Sequence, residues 1–259
     1  MATGYLEVID AQAGTSDLHG NVRVYGYSGS SYNSEWTSSD LGEIVGGITS
    51  GDLGGANDYL VVGTGGDSRN NNGVPGEVIV YKRSGGTYIT DGSTIDAERY
   101  RAYGVAVGDV DNDGETEIAV GTGNFGDSKP TVSVYDGSSH SLEYTKTVDT
   151  SSVWGVAIDD FDSDGFVELV YGTSGGEVFL YDGETEDFES KTSALSGKAG
   201  HYGGIAIGNL DDEGPKEMLI GSEVYLWLFT TEGQTDKPDL VTIKISQQLK
   251  LRKYLMIGL

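Results

Sequence analysis

One short pattern of alternating apolar residues recurs five times along the chain. Each copy places branched apolar residues at every second position and ends in an aromatic residue. A period of two in β-branched and aromatic residues predicts a strand. The copies lie at residues 22–25, 78–81, 132–135, 178–181 and 224–227.

A second pattern precedes four of these copies. It consists of a glycine-containing apolar strand, an acidic turn and a second apolar strand, and its clearest form spans residues 104–121. The first pattern then supplies the third strand of the unit, and a more polar fourth strand follows it, as at residues 142–148. Four strands in about 50 residues are typical of one blade of a β-propeller. The other copies of the second pattern span residues 155–172, 204–221 and, more loosely, 47–63.

These units predict an all-β chain that forms a single propeller domain over residues 1–259. We expect five four-stranded antiparallel blades; the alternative is that the chain is part of a six- or seven-bladed ring. Residues 5–9 predict a second strand, so the first blade lacks its inner strand, and residues 254–258 are the candidate to complete it and close the ring. The expected blades span about 5–40, 44–95, 101–149, 152–195 and 201–246.

The C-terminal tail differs from the rest of the chain. From Leu240 onward it has four basic residues and no acidic ones. It is interpreted as a closing strand, a docking segment or the stub of a longer chain.

Composition narrows the possible partners. The chain has 41 acidic and 16 basic residues, a net charge of −25, and this surface repels nucleic acid and anionic membranes. No apolar run is long enough to insert into a bilayer. Scarce lysine and abundant aspartate are similar to proteins of halophilic organisms. There is no cysteine, and the first residues lack the features of a secretion signal.

Two acidic turns have the composition of a metal-binding loop. Each places carboxylates at turn positions 1, 3, 5 and 9 and glycine at position 6. Alternate side chains on a curled loop converge, and such a set of hard oxygen ligands suits Ca²⁺, with Mg²⁺ second and zinc disfavoured. An EF-hand would need its glutamate at position 12, where this chain has Val120 and Tyr171. The carboxylates are Asp109, Asp111, Asp113 and Glu117 in one turn and Asp160, Asp162, Asp164 and Glu168 in the other.

With their flanking strands, these turns resemble the FG-GAP or VCBS repeats of integrin α-subunit propellers and related microbial proteins. The resemblance covers roughly residues 5–227. It implies Ca²⁺ bound by the carboxylates above and by the backbone carbonyls of Glu115 and Phe166. It also implies an extracellular or cell-surface location and a ligand on the face opposite the metal turns.

Two further turns depart from the pattern. A weaker metal site is expected at Asn209, where the turn has lost one charge and contains a longer side chain at position 5. The earliest turn keeps Asp52 and Asp58 but is shortened, so no full site is expected there. The alternative for all four is a solvated acidic turn. The oxygen-bearing residues of the weaker site are Asn209, Asp211, Glu213 and Glu217.

Residues just before each inner strand should surround the mouth of the central channel. Aromatic side chains with polar neighbours there suit a protein or carbohydrate ligand. The alternative is that they plug the channel or pack between blades. The candidates are Arg101, Tyr103, Trp154, His201 and Tyr202.

No catalytic residue is predicted. The nucleophile-elbow, P-loop and zinc-protease motifs are absent, and the three histidines do not recur at matching repeat positions. The sequence therefore predicts a binding or adhesion module stabilised by calcium, or a structural module of a larger surface protein. The enzymatic alternative is a polysaccharide lyase or hydrolase that uses Arg101, Tyr103 and His201, and only analogy of fold supports it.

Overall fold

The structure is a computed structural model. All regular secondary structure in the part that it describes is β-strand. No helix among these residues is long and apolar enough to cross a membrane. The described residues are 5–7, 20–54, 58–65, 76–97, 101–123, 129–148, 152–183, 185, 187–192, 194–195, 197–200, 204–210, 216–222, 225–231 and 240–246.

In the described part of the chain, twenty strands form five antiparallel sheets, called blades 1 to 5 in chain order. Blade 1 contains β1 (Tyr5–Glu7), β2 (Arg23–Tyr27) and β3 (Tyr32–Thr37). Blade 2 contains β4 (Ile44–Gly51), β5 (Tyr59–Gly65), β6 (Glu77–Ser84), β7 (Thr87–Thr90) and β8 (Ile95–Asp96), which pairs with β6.

The last three blades each have four strands, paired in chain order. Blade 3 contains β9 (Ala102–Gly108), β10 (Glu117–Thr122), β11 (Thr131–Asp136) and β12 (Leu142–Thr147). Blade 4 contains β13 (Val153–Asp159), β14 (Glu168–Thr173), β15 (Val178–Asp182) and β16 (Phe188–Lys191). Blade 5 contains β17 (Ile205–Gly208), β18 (Glu217–Gly221), β19 (Tyr225–Thr231) and β20 (Leu240–Ser246).

The first strands of blades 2 to 5 line a central cavity of about 240 Å³. Glycine lets these strands approach each other. A Cβ atom added to Gly104 would lie 2.9 Å from the backbone nitrogen of Val156 on the next blade, and one added to Gly155 would lie 2.8 Å from the carbonyl oxygen of Gly200. Larger residues would therefore push neighbouring inner strands apart.

The core lies between successive blades. The second strands of blades 2, 3 and 4 are buried on both faces. On β5, Leu60 and Val62 pack with blade 1, whereas Val61 packs with Val105 and Ile118 of blade 3. The same alternation joins blade 3 to blade 4 and blade 4 to blade 5. Burial on both faces explains the almost continuous apolar runs of the second strands.

The all-β propeller prediction is confirmed, but the blade count needs correction. Blades 2 to 5 have at least four strands each, whereas blade 1 has three among the described residues. The structure thus shows four complete blades and one three-stranded sheet, where five four-stranded blades were predicted. The strand predicted to complete blade 1, at residues 254–258, lies outside the described residues.

Candidate metal centre

Each of the two complete acidic turns joins the first and second strands of its own blade. The blade 3 turn is residues 109–117 and the blade 4 turn is residues 160–168. Both fold back through left-handed backbone at positions 4 and 6, with φ of 57° at Asn112 and 93° at Gly114, and 63° at Ser163 and 99° at Gly165. Asparagine and glycine tolerate this conformation best, and the tight path brings alternate side chains to one side.

Carboxylates converge in both turns. In the blade 4 turn each of four acids offers one oxygen atom, and these four atoms all lie within 4.8 Å of one another. In the blade 3 turn three acids meet the same limit, and Asp113 is not among them. Asp113 Oδ1 accepts a hydrogen bond from the Glu115 N–H at 2.8 Å, and Asp164 Oδ1 accepts the equivalent one from the Phe166 N–H at 2.9 Å. The converging acids are Asp160, Asp162, Asp164 and Glu168, and Asp109, Asp111 and Glu117.

The glutamate at position 9 is fixed by the backbone of its own turn. The Val110 N–H donates to Glu117 Oε2 at 2.7 Å, and the Phe161 N–H donates to Glu168 Oε2 at 2.5 Å. Both glutamates are only 1% exposed. A buried carboxylate held in this way is preoriented at the base of the turn.

Burial raises the pKa of both glutamates. The pKa of Glu117 rises to about 7 although the Val110 hydrogen bond opposes the shift, and nearby carboxylates such as Asp111 raise it further. The pKa of Glu168 rises to about 9 for the same reasons. Without a cation, these turns therefore resist full ionisation.

One oxygen in each turn has no partner. Asp109 Oδ1 and Asp160 Oδ1 are buried atoms without a hydrogen bond among the described residues. A buried carboxylate oxygen without a donor is costly unless a cation compensates it. Converging oxygens, an all-oxygen donor set and these two unpartnered atoms fit a hard divalent ion. The acidic clusters could thus hold a metal ion.

The other two turns are built differently. In the blade 5 turn the Leu210 N–H donates to Glu217 Oε2 at 2.8 Å, as in the complete turns, but Asp211 and Glu213 lie outside the described residues. Asn209 is exposed. Lys216, at position 8, forms an ion pair with Asp159 of blade 4, so a cation of the chain itself lies beside this turn.

In blade 2 basic residues replace the acidic pattern. In blade 3, Glu117 pairs with Asp136 on the third strand. At the equivalent positions of blade 2, Tyr59 pairs with Lys82. The Arg83 guanidinium lies 3.3 Å from Asp58 Oδ2. A fixed positive charge therefore neutralises the one acid left at the end of this turn.

Sequence reasoning missed two acids near the complete turns. Glu143 on β12 interacts electrostatically with Asp111 and Glu117, and Glu189 on β16 interacts with Glu168. A signal was present, because each of these glutamates follows an apolar residue at the start of a fourth strand. The link to the turns needed the fold, since 26 and 21 residues separate Glu143 from Glu117 and Glu189 from Glu168.

The predicted ligand residues on the opposite side form a layered contact. Tyr103 and Trp154 stack with ring centroids 4.0 Å apart and planes 21° apart. The Arg101 guanidinium lies 5.9 Å from the Tyr103 ring centre and donates to its hydroxyl at 3.1 Å, and the Lys198 ammonium lies 4.8 Å from the Trp154 ring centre. His201 and Tyr202 lie outside the described residues. A basic side chain therefore lies beside each ring of the stack, with the Arg101 guanidinium at the hydroxyl edge of Tyr103.

Bulges in the inner strands place this stack. Pairing skips Tyr103 between Ala102 and Gly104, and it skips Trp154 between Val153 and Gly155. An extra residue in one strand redirects its side chain. These bulges lie at the starts of β9 and β13, at the end of the inner strands away from the acidic turns.

Solved structures with similar folds define the class of protein. A chain of the Mitotic Checkpoint Complex matches with a TM-score of 0.58 and 16% identity, over 88% of this chain and 61% of that one. The Dos1 propeller matches with a TM-score of 0.56 and 13% identity, over 90% and 57%. Saccharomyces cerevisiae Sqt1 matches with a TM-score of 0.58 and 11% identity, over 86% and 55%. The chain is a β-propeller that spans about three fifths of the length of these chains.

The family comparison concerns one blade. Residues 102–140, which contain the blade 3 turn, match the FG-GAP repeat family. The protein is therefore a β-propeller with an FG-GAP repeat in blade 3. No curated protein sequence matches the chain.

Proposed function

We propose that the protein is a non-enzymatic binding module whose propeller is stabilised by Ca²⁺ in the blade 3 and blade 4 turns. The observation that supports it most strongly is the convergence of four carboxylate oxygens within 4.8 Å in the blade 4 turn, with Asp160 Oδ1 left unpartnered. Ca²⁺ is favoured over Mg²⁺ because it accepts about six to eight oxygen ligands in flexible geometry. The blade 5 turn would bind more weakly, because Lys216 lies beside it.

The proposed metal ligands are of two kinds, side-chain oxygens and backbone carbonyl oxygens. The side chains at positions 1, 3, 5 and 9 would supply carboxylate oxygens, and Glu115 and Phe166 would supply carbonyl oxygens. The hydrogen bonds from Val110 and Phe161 hold the glutamates in place before a cation arrives. The bound ion would supply positive charge that relieves the repulsion among the acids, so binding energy becomes folding energy.

Thermal unfolding tests the metal role. At a hundredfold excess over a dissociation constant of about 10⁻⁴–10⁻³ M, each site adds about 2.7 kcal/mol. For two sites in a domain of this size, Ca²⁺ should raise Tm by of order 10 °C over EGTA, and Mg²⁺ by less. Asp162→Asn should remove part of the gain. A Tm that is the same in EGTA and Ca²⁺ would refute the proposed metal role.

The face opposite the metal turns is proposed to bind the ligand. Arg101, Tyr103, Trp154 and Lys198 bring residues from neighbouring blades together there. Because a basic side chain lies beside each ring, a ligand would meet positive charge together with aromatic surface. This arrangement favours a protein loop or an acidic sugar over a neutral sugar. An extracellular or cell-surface location is proposed from the FG-GAP repeat.

A glycan and protein array followed by Trp154→Ala tests the ligand face. We expect the substitution to weaken binding of the array hits at least tenfold and to lower Tm by only a few degrees, because Trp154 is half-buried. Tyr144→Ala is the control, since Tyr144 also contacts a lysine but on an outer strand. Unchanged binding, or loss of folding by the Trp154 variant alone, would show that the stack only closes the channel.

A further inference from the structure

Glutamates occupy a repeated β-bulge on the fourth strands of blades 3 and 4. On β12, pairing with β11 passes from Tyr144 directly to Leu142, which leaves Glu143 as the extra residue. On β16, pairing with β15 passes from Ser190 to Phe188 and leaves Glu189. Blades 3 and 4 therefore have a β-bulge at the same place in the fourth strand, with glutamate as the extra residue. Bulges redirect the side chain of the extra residue.

The strand register places the bulge glutamates at the end of the sheet that carries the acidic turns, because Leu142 and Phe188 lie in the same cross-strand rows as Ile118 and Leu169. Glu143 interacts with Asp111 and Asp113, and it also interacts with the buried Glu117. Glu189 has the equivalent interaction with Glu168. These contacts are repulsive in the metal-free protein, so each glutamate adds negative charge to a turn that already resists ionisation.

Blades without a complete acidic turn lack this arrangement. The β6–β7 pairing of blade 2 runs without a bulge from Tyr81–Thr90 to Ser84–Thr87, and the β19–β20 pairing of blade 5 is continuous. Blade 1 has a bulge glutamate, Glu35, but its carboxylate lies 3.9 Å from the Arg83 guanidinium. Of these three bulge glutamates, Glu143 and Glu189 interact with acids of a complete turn, whereas Glu35 lies near the Arg83 guanidinium.

We propose that Glu143 and Glu189 are accessory acids of the two metal turns. They would strengthen cation binding through their charge without belonging to the ligand set of positions 1 to 9. This inference rests on the proposed function, because it concerns the same two turns. Charge count is one way in which oxygen sites tune their affinity.

Calorimetric titration with Ca²⁺ at low ionic strength tests the inference. Glu143→Gln and Glu189→Gln should each weaken binding at one site by about two- to fivefold, the size expected when a nearby unit charge acts on a divalent ion through a water-like medium. The difference should shrink at high salt, because screening weakens interactions between exposed charges. Glu35→Gln is the matched control, with the same substitution at the same bulge position, and its affinity should equal that of the wild type.

The stability of the metal-free variants gives a second readout. Removing a repulsive charge should leave Tm in EGTA unchanged or higher, while the gain in Tm on adding Ca²⁺ becomes smaller. A purely structural role for the bulge would lower Tm in both conditions and leave affinity unchanged, and that result would overturn the inference. Wild-type affinity in both variants would also overturn it. If the wild type itself bound no Ca²⁺, the proposed function would fail first, so the two failures are distinguishable.

Discussion

At the scale of single residues, the decisive feature is the buried glutamate at position 9 of each complete turn. Glu117 and Glu168 are covered by protein, accept one backbone hydrogen bond and face other carboxylates. Their position is costly for the charged form, and the proposed cation would offset this cost. One residue type at one position therefore links the folding of the turn to its occupancy.

The pH dependence of the metal-free protein should show this cost. Both glutamates have a raised pKa in the folded state, about 7 and about 9 against 4.5, so the folded state binds more protons across that window. The free energy of unfolding should then fall as pH rises from about 5 to about 8. Thermal melts in EGTA should give a lower Tm at the higher pH, and Ca²⁺ should reduce or reverse the difference.

A double variant separates the contribution of these two glutamates to the pH dependence of Tm from that of the general charge repulsion in an acidic protein. Glu117→Gln with Glu168→Gln cannot ionise at these positions, so its Tm in EGTA should depend less on pH than that of the wild type. If both proteins lost the same Tm between about pH 5 and about pH 8, the slope would belong to the net charge of −25 and not to the turns.

At the scale of elements, the two complete acidic turns, residues 109–117 and 160–168, also pack against the next blade. The apolar residue at position 2 lies between blades: Val110 packs with Val156 and Leu169 of blade 4, and Phe161 packs with Met218 and Ile220 of blade 5. The N–H of the same residue holds the position 9 glutamate. A single residue thus contributes to the core with its side chain and to the turn with its backbone.

Truncation of Phe161 should therefore affect both stability and metal binding. Phe161→Ala removes a fully buried aromatic side chain and should cost about 3–5 kcal/mol in urea unfolding. Calcium affinity should also fall, because the Phe161 N–H would no longer hold Glu168 as firmly.

Phe188→Ala is the control for this change. Phe188 belongs to the same blade but is 49% exposed, so its loss should cost no more than about 1 kcal/mol and leave calcium affinity unchanged. Equal destabilisation by the two variants would contradict the role given to position 2.

At the scale of the whole molecule, the propeller separates two faces with different chemistry. The end of the inner strands that joins the acidic turns contains the converging carboxylates, and the other end contains the stack flanked by Arg101 and Lys198. Antiparallel blades produce this separation, because every first-to-second-strand turn emerges on the same side of the ring. The proposed metal sites and the proposed ligand site therefore lie on separate faces.

Local patterns in the sequence determined most of the strands and both complete turns. Alternation with a period of two identified the third strands, and the acidic turns lie between β9 and β10 and between β13 and β14 as the spacing predicted. These features depend on residues within about ten positions of each other, where backbone geometry leaves few choices.

Only the tertiary structure decided what depends on contacts between distant segments. It determined that blade 1 has three strands among the described residues, that Tyr103 and Trp154 stack, and that Glu143 and Glu189 lie near the metal turns. It also paired Lys216 with Asp159 of the neighbouring blade. Bulges and the packing of blade on blade set these contacts, and a single extra residue in a strand changes the direction of a side chain without altering the apolar pattern.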